Sequence, residues 1–145
     1  MCPAPKKPRP VRGFTLLELL VVVAIIALGT AGVALTMRDG NQVQLEREAD
    51  RLAALLESAR AQSRSSGVPV LWHPAPQGFA FDGLPPGTLP TQWLSADTRV
   101  AGDALLRLGP EPLIGPQQVV LVSAARPDRA LRVATDGLRP FGVVP

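Results

Sequence analysis

An apolar run from Phe14 to Met37 constrains this chain more than any other feature of its 145 residues. The polar members of the run are Thr15, Glu18, Thr30 and Thr36, and Glu18 alone is charged. As a helix the run rises about 36 Å at ~1.5 Å per residue, enough to cross a hydrocarbon core of about 30 Å. Lys6, Lys7, Arg9 and Arg12 all precede it. Positive charge on that side keeps the N-terminus cytoplasmic and sends the C-terminus across. Three other readings fit such a run. A secretory signal would be cut near Ala27-Leu28-Gly29, but the run continues past Gly29 and already carries a carboxylate. A plain single-pass anchor has no use for Glu18. A helix buried in a soluble core is seldom apolar all round in a chain this short.

Glu18 decides among them. A carboxylate inside an apolar segment costs on the order of 3 kcal/mol to insert, so it calls for a partner or a function. Cleavage between Gly13 and Phe14 would make Glu18 the fifth residue of the mature chain. It would also create a free amine within about one helical turn of the carboxylate. Within one subunit that is a local charge pair; between stacked subunits it sets axial register. A glycine before the scissile bond suits a protease pocket at the membrane face, because a residue without Cβ allows close approach.

The stretch Arg12-Gly13-Phe14-Thr15-Leu16-Leu17-Glu18, running on through Leu19 to Ile26 behind a Lys-rich leader, resembles the type IV prepilin motif. Gly13, Phe14, Thr15 and Glu18 all match it. The resemblance implies that a membrane-embedded aspartyl prepilin peptidase removes residues 1–13, cuts after Gly13 and methylates Phe14. It implies that Glu18, with Thr15 beside it in the motif, serves assembly and register by pairing with the N-terminal amine of a neighbouring subunit. It also implies a bacterial inner-membrane protein crossing once at residues 14–37, with its C-terminal domain in the periplasm.

Such a cut changes the charge. It removes four of the 15 basic residues and leaves 11 against 12 acidic ones, a formal net charge of −1 in place of +3. The basic character of the whole chain is then largely a property of the leader, and a nucleic-acid partner would need a basic patch in the folded part. No nucleic acid is expected unless the chain serves a pilus. Cys2, the sole cysteine, leaves with the leader, so the mature chain has no disulfide and no thiolate metal site.

Beyond the run, Arg38-Asp39-Gly40-Asn41 weakens helix locally. Helical patterning resumes over residues 38–66. Leu45, Ala49, Leu52, Leu56 and Ala59 form an apolar stripe at i, i+4, i+7, i+11 and i+14, while Glu46, Arg47, Glu48, Asp50, Arg51, Glu57 and Arg60 supply the other faces. Ser65-Ser66-Gly67 followed by Pro69 is a stop signal with Gly67 at C′. The sequence therefore predicts one long helix, or two coaxial ones with a soft joint near Gly40.

Residues 67–145 read as short strands between Pro- and Gly-rich turns. Val68–His73 and Gly78–Asp82 predict a hairpin around Pro74–Gln77. Ala104–Leu108, Gln118–Ser123, Ala130–Ala134 and Phe141–Val144 follow, with Gln92–Leu94 and Thr98–Val100 weaker candidates. A long helix followed only by strands predicts an α+β fold, the helix packed on a small antiparallel sheet or sandwich. The stretch Glu48 to Val70, with its Gly-x-Pro exit, resembles the H-type minor pseudopilins of type II secretion and the related minor pilins of type IV pili. That resemblance implies a structural subunit of a periplasmic pseudopilus needed for protein export across the outer membrane. Its partners would be major and other minor pseudopilins and the inner-membrane assembly platform, driven by a cytoplasmic ATPase. A minor pilin acting in pilus assembly, adhesion or DNA uptake is the neighbouring reading, and a membrane-anchored periplasmic binding module is the rival from another class. Major pseudopilins usually carry a calcium loop; here Asp128 and Asp136 stand apart.

No enzyme is expected. His73 is the only histidine and has no cysteine neighbours, so zinc has no ligand set. No Gly-x-Ser-x-Gly element or phosphate-cradling glycine loop occurs, and neither a cofactor nor a metal is expected. Trp72 and Trp93 fit core packing. Arg126, Arg129 and Arg132 form a basic cluster near a turn, by default a solvated face.

Overall fold

The computed structural model describes residues 14–144, without the side chains of 31–39 and 41. The fold is α+β. Helix α1 spans Leu16–Ser66. The strands are β1 Leu71–Ala75, β2 Gly78–Asp82, β3 Thr98–Val100, β4 Leu106–Arg107, β5 Gln117–Ser123, β6 Arg126–Thr135 and β7 Gly142–Val144. The chain divides into two compact units, Met1–Met37 and Arg38–Pro145. The backbone is helical at Asp39-Gly40-Asn41. No atom lies within 4 Å of where a Cβ on Gly40 would sit, so close packing does not explain this glycine.

In the second unit, one side of α1 lies on two antiparallel sheets, ordered β2-β1-β4 and β3-β5-β6-β7. Every member of the expected stripe, Leu45, Ala49, Leu52, Leu56 and Ala59, is buried. They share a core with Val70, Trp72, Phe79, Leu106, Leu108, Val119, Leu121, Val133 and Phe141. On β5 the period of two is plain: Val119, Leu121 and Ser123 face inward. Each large apolar side chain buried here contributes ~1.5–3 kcal/mol relative to exposure. The helix ends as its sequence predicts. Gly67 takes φ 71° and its N–H donates to Ser63 O at 2.9 Å, the left-handed cap motif that glycine favours.

Several strand boundaries differ from expectation. β1 begins at Leu71 rather than Val68, and it includes Pro74 rather than ending before it. Phe79 N–H points away from β1 and donates to Thr91 O at 2.9 Å, which makes Pro74 and Phe79 a non-hydrogen-bonded pair. Pro74 therefore costs the hairpin no ladder bond, and its nitrogen faces an edge that β4 covers only at Leu71 and Trp72. The turn narrows to Pro76-Gln77. Gln92–Leu94 forms no strand, only a single bridge from Gln92 to Gly78. Leu94 N–H is taken by the Glu48 carboxylate instead of a neighbouring strand. Ala104–Leu108 shortens to β4, whose Arg107 exchanges two hydrogen bonds with the Gln117 side-chain amide, at 2.6 and 2.9 Å. β6 starts four residues earlier than expected, beyond a register shift opposite Val122 and Ser123.

Candidate functional site

The local chemistry of the N-terminal helix starts at Thr15. Its carbonyl accepts from Glu18 N–H at 3.0 Å and from Leu19 N–H at 3.2 Å, and its Oγ1 lies 3.3 Å from Glu18 N. Thr15 is thus the N-cap of α1 and Glu18 the third helical residue. The Thr15-Leu16-Leu17-Glu18 spacing is that of a capping box, a second structural reason for a glutamate at this offset. Glu18 also places a negative charge in the first turn, where the helix dipole favours it. Thr15 and Glu18 are brought together. Phe14 directly precedes the cap and is 75 % exposed. Gly13, the other half of the expected cleavage site, lies outside the described residues, as do the leader cations and Cys2.

After the cap, the helix is apolar on every side. Leu16, Leu17, Leu19, Leu20, Val21, Val22, Val23, Ile25, Ile26 and Leu28 are all exposed, from 43 % at Val22 to 78 % at Leu16. A surface so extensive is covered in the working protein by lipid or by other protein. Thr30 fits such surroundings: its Oγ1 reaches back to Ile26 O at 3.1 Å and Ala27 O at 3.0 Å, so its hydroxyl needs no water. Among the described residues no helix is long and apolar enough to cross a membrane. The apolar stretch with described side chains, residues 16–30, is shorter than the roughly 20 residues a span requires. The rest of the expected span, residues 31–37, has its side chains outside the described set.

Residues 8–34 match the family model for the prokaryotic N-terminal methylation motif. The chain carries that motif. Over these residues it is similar to type IV pilin-like proteins. The match takes in Gly13, Phe14, Thr15 and Glu18. No curated protein and no solved structure matches the chain. The motif is consistent with processing by a prepilin peptidase and assembly with other pilins, and proteins bearing it are usually anchored in the membrane by this segment.

The second unit holds polar groups that its sequence does not advertise. Glu48 and Arg60, expected on the solvated side of the helix, are only 1 % and 4 % exposed. The reason is loop backbone. Glu48 Oε1 accepts from Leu94 N–H, and Arg51 Nη1 lies 4.0 Å from its other oxygen while donating to Gln92 O at 2.9 Å. Arg60 Nη2 donates to Pro112 O at 3.2 Å and Gly137 O at 3.3 Å. Glu57 Oε1 accepts from Phe141 N–H at 3.0 Å and lies 3.5 Å from Arg60 Nη1. Helical spacing alone assigns these charges to the outside; their partners, 41 to 84 residues away, give no local signal.

Trp72 is fully buried and Trp93 packs edge-on against Phe79 at 4.6 Å. His73 Nε2 lies 3.1 Å from Asp82 Oδ2 on an exposed part of the hairpin. Asp136 caps the turn that follows β6. Hydrogen bonds from Arg139 N–H and then Leu138 N–H, together with the Arg139 guanidinium at 3.1 Å, hold its carboxyl below the usual 3.8. Among the described residues no group of three His, Cys, Asp or Glu side chains could hold a metal ion.

Proposed function

We propose that this chain is a minor pseudopilin of a type II secretion system, a structural subunit of the periplasmic pseudopilus required for export across the outer membrane. The observation that carries the reading is Glu18. It lies within the methylation-motif match and at the head of a helix apolar on every side. In this reading prepilin peptidase cuts between Gly13 and Phe14 and methylates the Phe14 amine, and residues 14–37 cross the inner membrane. The amine is then the cationic partner for Glu18 of a neighbouring subunit, and pairing removes a charge that is costly in lipid. Extraction into the filament is favoured when each subunit offers the next one this pair. Major and other minor pseudopilins and the assembly platform are its partners.

The helix with its Gly67 stop and the two small sheets support an H-type subunit. A minor pilin of a type IV pilus would use the same N-terminal chemistry, and a chromosomal deletion separates the two: loss of exoprotein export with normal piliation belongs to the pseudopilin. The N-terminus is tested by mass spectrometry of the mature protein, which is expected to start at an N-methylated Phe14. A mature chain starting near Thr30 would overturn the reading in favour of a secretory signal. Gly13→Ala is expected to remain unprocessed. Glu18→Ala is expected to be processed and to fold yet to be lost from filaments; normal secretion by this variant would favour an anchored binding module instead.

A further inference from the structure

We propose that the cavity between the tip of the β1–β2 hairpin, the 92–96 loop and the edge of β3 binds a short extended segment of a partner protein in which apolar and acidic residues alternate. The site is built within residues 74–100 and does not depend on the N-terminal chemistry.

The backbone of β3 supplies the first contact. Ala101 N–H donates to Val120 O at 2.9 Å, and Ala124 N–H donates to Asp97 O at 2.7 Å. These bonds flank β3 at both ends. Arg99 and Val122, midway between them, are then a hydrogen-bonded pair, and Thr98 and Val100 belong to non-hydrogen-bonded pairs. The N–H and C=O of Thr98 and Val100 therefore face away from β5. Thr98 satisfies its own locally, its N–H on Ser95 O at 3.2 Å and its C=O on Arg99 Nη1 at 2.8 Å. Val100 does not. β3 is the edge of its sheet, and among the described residues neither outward group of Val100 has a partner.

Val100 lines a cavity of about 600 Å³, within the roughly 300–1,000 Å³ range of sites that enclose small ligands. Pro74, Pro76, Trp93 and Leu94 line it too, and Arg99 is the one charged residue of the lining. Arg99 Nη1 is fixed by Ala96 O at 2.6 Å and by Thr98 O. No carboxylate among the described residues, Asp97 included, forms an ion pair with it. The loop wall is held in place before anything binds: Glu48 takes Leu94 N–H, Arg51 holds Gln92 O, and Trp93 packs on Phe79. A preformed wall lowers the ordering cost of binding.

Alternation along β3 selects the pattern of the ligand. Val100 packs against the core, as Trp93 does, whereas Arg99 lies on the opposite face and is exposed. A ligand residue paired antiparallel with Val100 places its side chain on the Val100 face, among apolar groups. The next side chain falls on the Arg99 face, where a carboxylate is favoured. Two backbone hydrogen bonds, one apolar contact and one charge-assisted contact make a weak but selective site.

The test uses the full chain in detergent micelles and a short fluorescent peptide of alternating Leu and Glu, blocked at both ends, followed by anisotropy and amide exchange. Binding is expected to slow exchange at the Val100 amide. Arg99→Gln is expected to bind this peptide about tenfold more weakly, the worth of one charge-assisted hydrogen bond, and to bind a Leu/Gln peptide as wild type does. The Leu/Glu peptide N-methylated at its leucine amides, the groups that face Val100 C=O, is expected not to bind. Capture by micelles or by the exposed apolar helix would tolerate that change. The proposal is overturned if the N-methylated peptide or a Leu/Lys peptide binds wild type as well as the Leu/Glu peptide does. It is equally overturned if Arg99→Gln leaves binding unchanged or if no peptide binds. Displacement by acetate at the concentration of the peptide would also overturn it, leaving Arg99 a simple anion site.

Discussion

Residues 16–30 and 45–63 lie on the same helix, yet they are built for different surroundings. The first stretch exposes apolar side chains in every direction and spends its one carboxylate beside its own cap. The second buries a single stripe and, beside it, sets Glu48, Arg60 and Ser63 where water does not reach. In the first, polarity is satisfied within the helix itself: Thr15 bonds Glu18, and Thr30 bonds the preceding turn. In the second, Glu48, Glu57 and Arg60 bond to loops far away in sequence. A helix that must meet other molecules keeps its hydrogen bonds at home. One that organises a domain sends them outward.

The contrast can be broken at several points. The largest effect on stability is expected at Leu56→Ala, which empties a fully buried position in the stripe. Unfolding of the full chain in detergent should lose about 3 kcal/mol, whereas Leu20→Ala should leave the domain transition in place. Equal effects of the two would erase the distinction. Arg60→Met keeps the packed stem but strips the guanidinium from Pro112 O and Gly137 O. Its expected loss is ~2 kcal/mol, with faster amide exchange in residues 111–115 and 137–140; unchanged exchange there would mean that the arginine only fills space. Gly40→Ala, where a methyl meets no neighbour, is expected to stabilise the helix by about 0.5–1 kcal/mol, read by slower amide exchange at residues 38–42.

The smallest effect is a pH dependence at the tip of the domain. Because the folded pKa of Asp136 lies below its ordinary 3.8, the carboxylate form stabilises the native state above that pH. The contribution is lost as pH falls through the lower folded value. Asp136→Ala is therefore expected to lower stability slightly at neutral pH, where the carboxylate form contributes, and to converge on wild type as pH falls below about 4, which flattens the acid side of the profile. A profile identical to wild type would assign the acid transition to other carboxylates.

What the sequence made legible was local. The stripe from Leu45 to Ala59, the stop at Gly67 and the β2 and β3 boundaries follow from spacing and from glycine or proline chemistry within a few residues. The cap at Thr15 is equally local and sits in the Thr-x-x-Glu spacing. Burial of Glu48 and Arg60 was not legible, because charge type pointed outward and the compensating carbonyls and amides belong to loops without pattern. The length of β6 escaped for a related reason: Pro127 argues against a strand interior, yet it falls in the register shift opposite Val122 and Ser123, where it has no partner on β5.

Glu48, Glu57 and Arg60 have a mechanical consequence. A purely apolar stripe lets a helix roll on the surface beneath it, since one greasy contact replaces another at little penalty. These three side chains act as keys in a keyway, each fitted to a loop at a different height along the shaft. Torque applied to the shaft must shear all of them together before the domain can turn upon it.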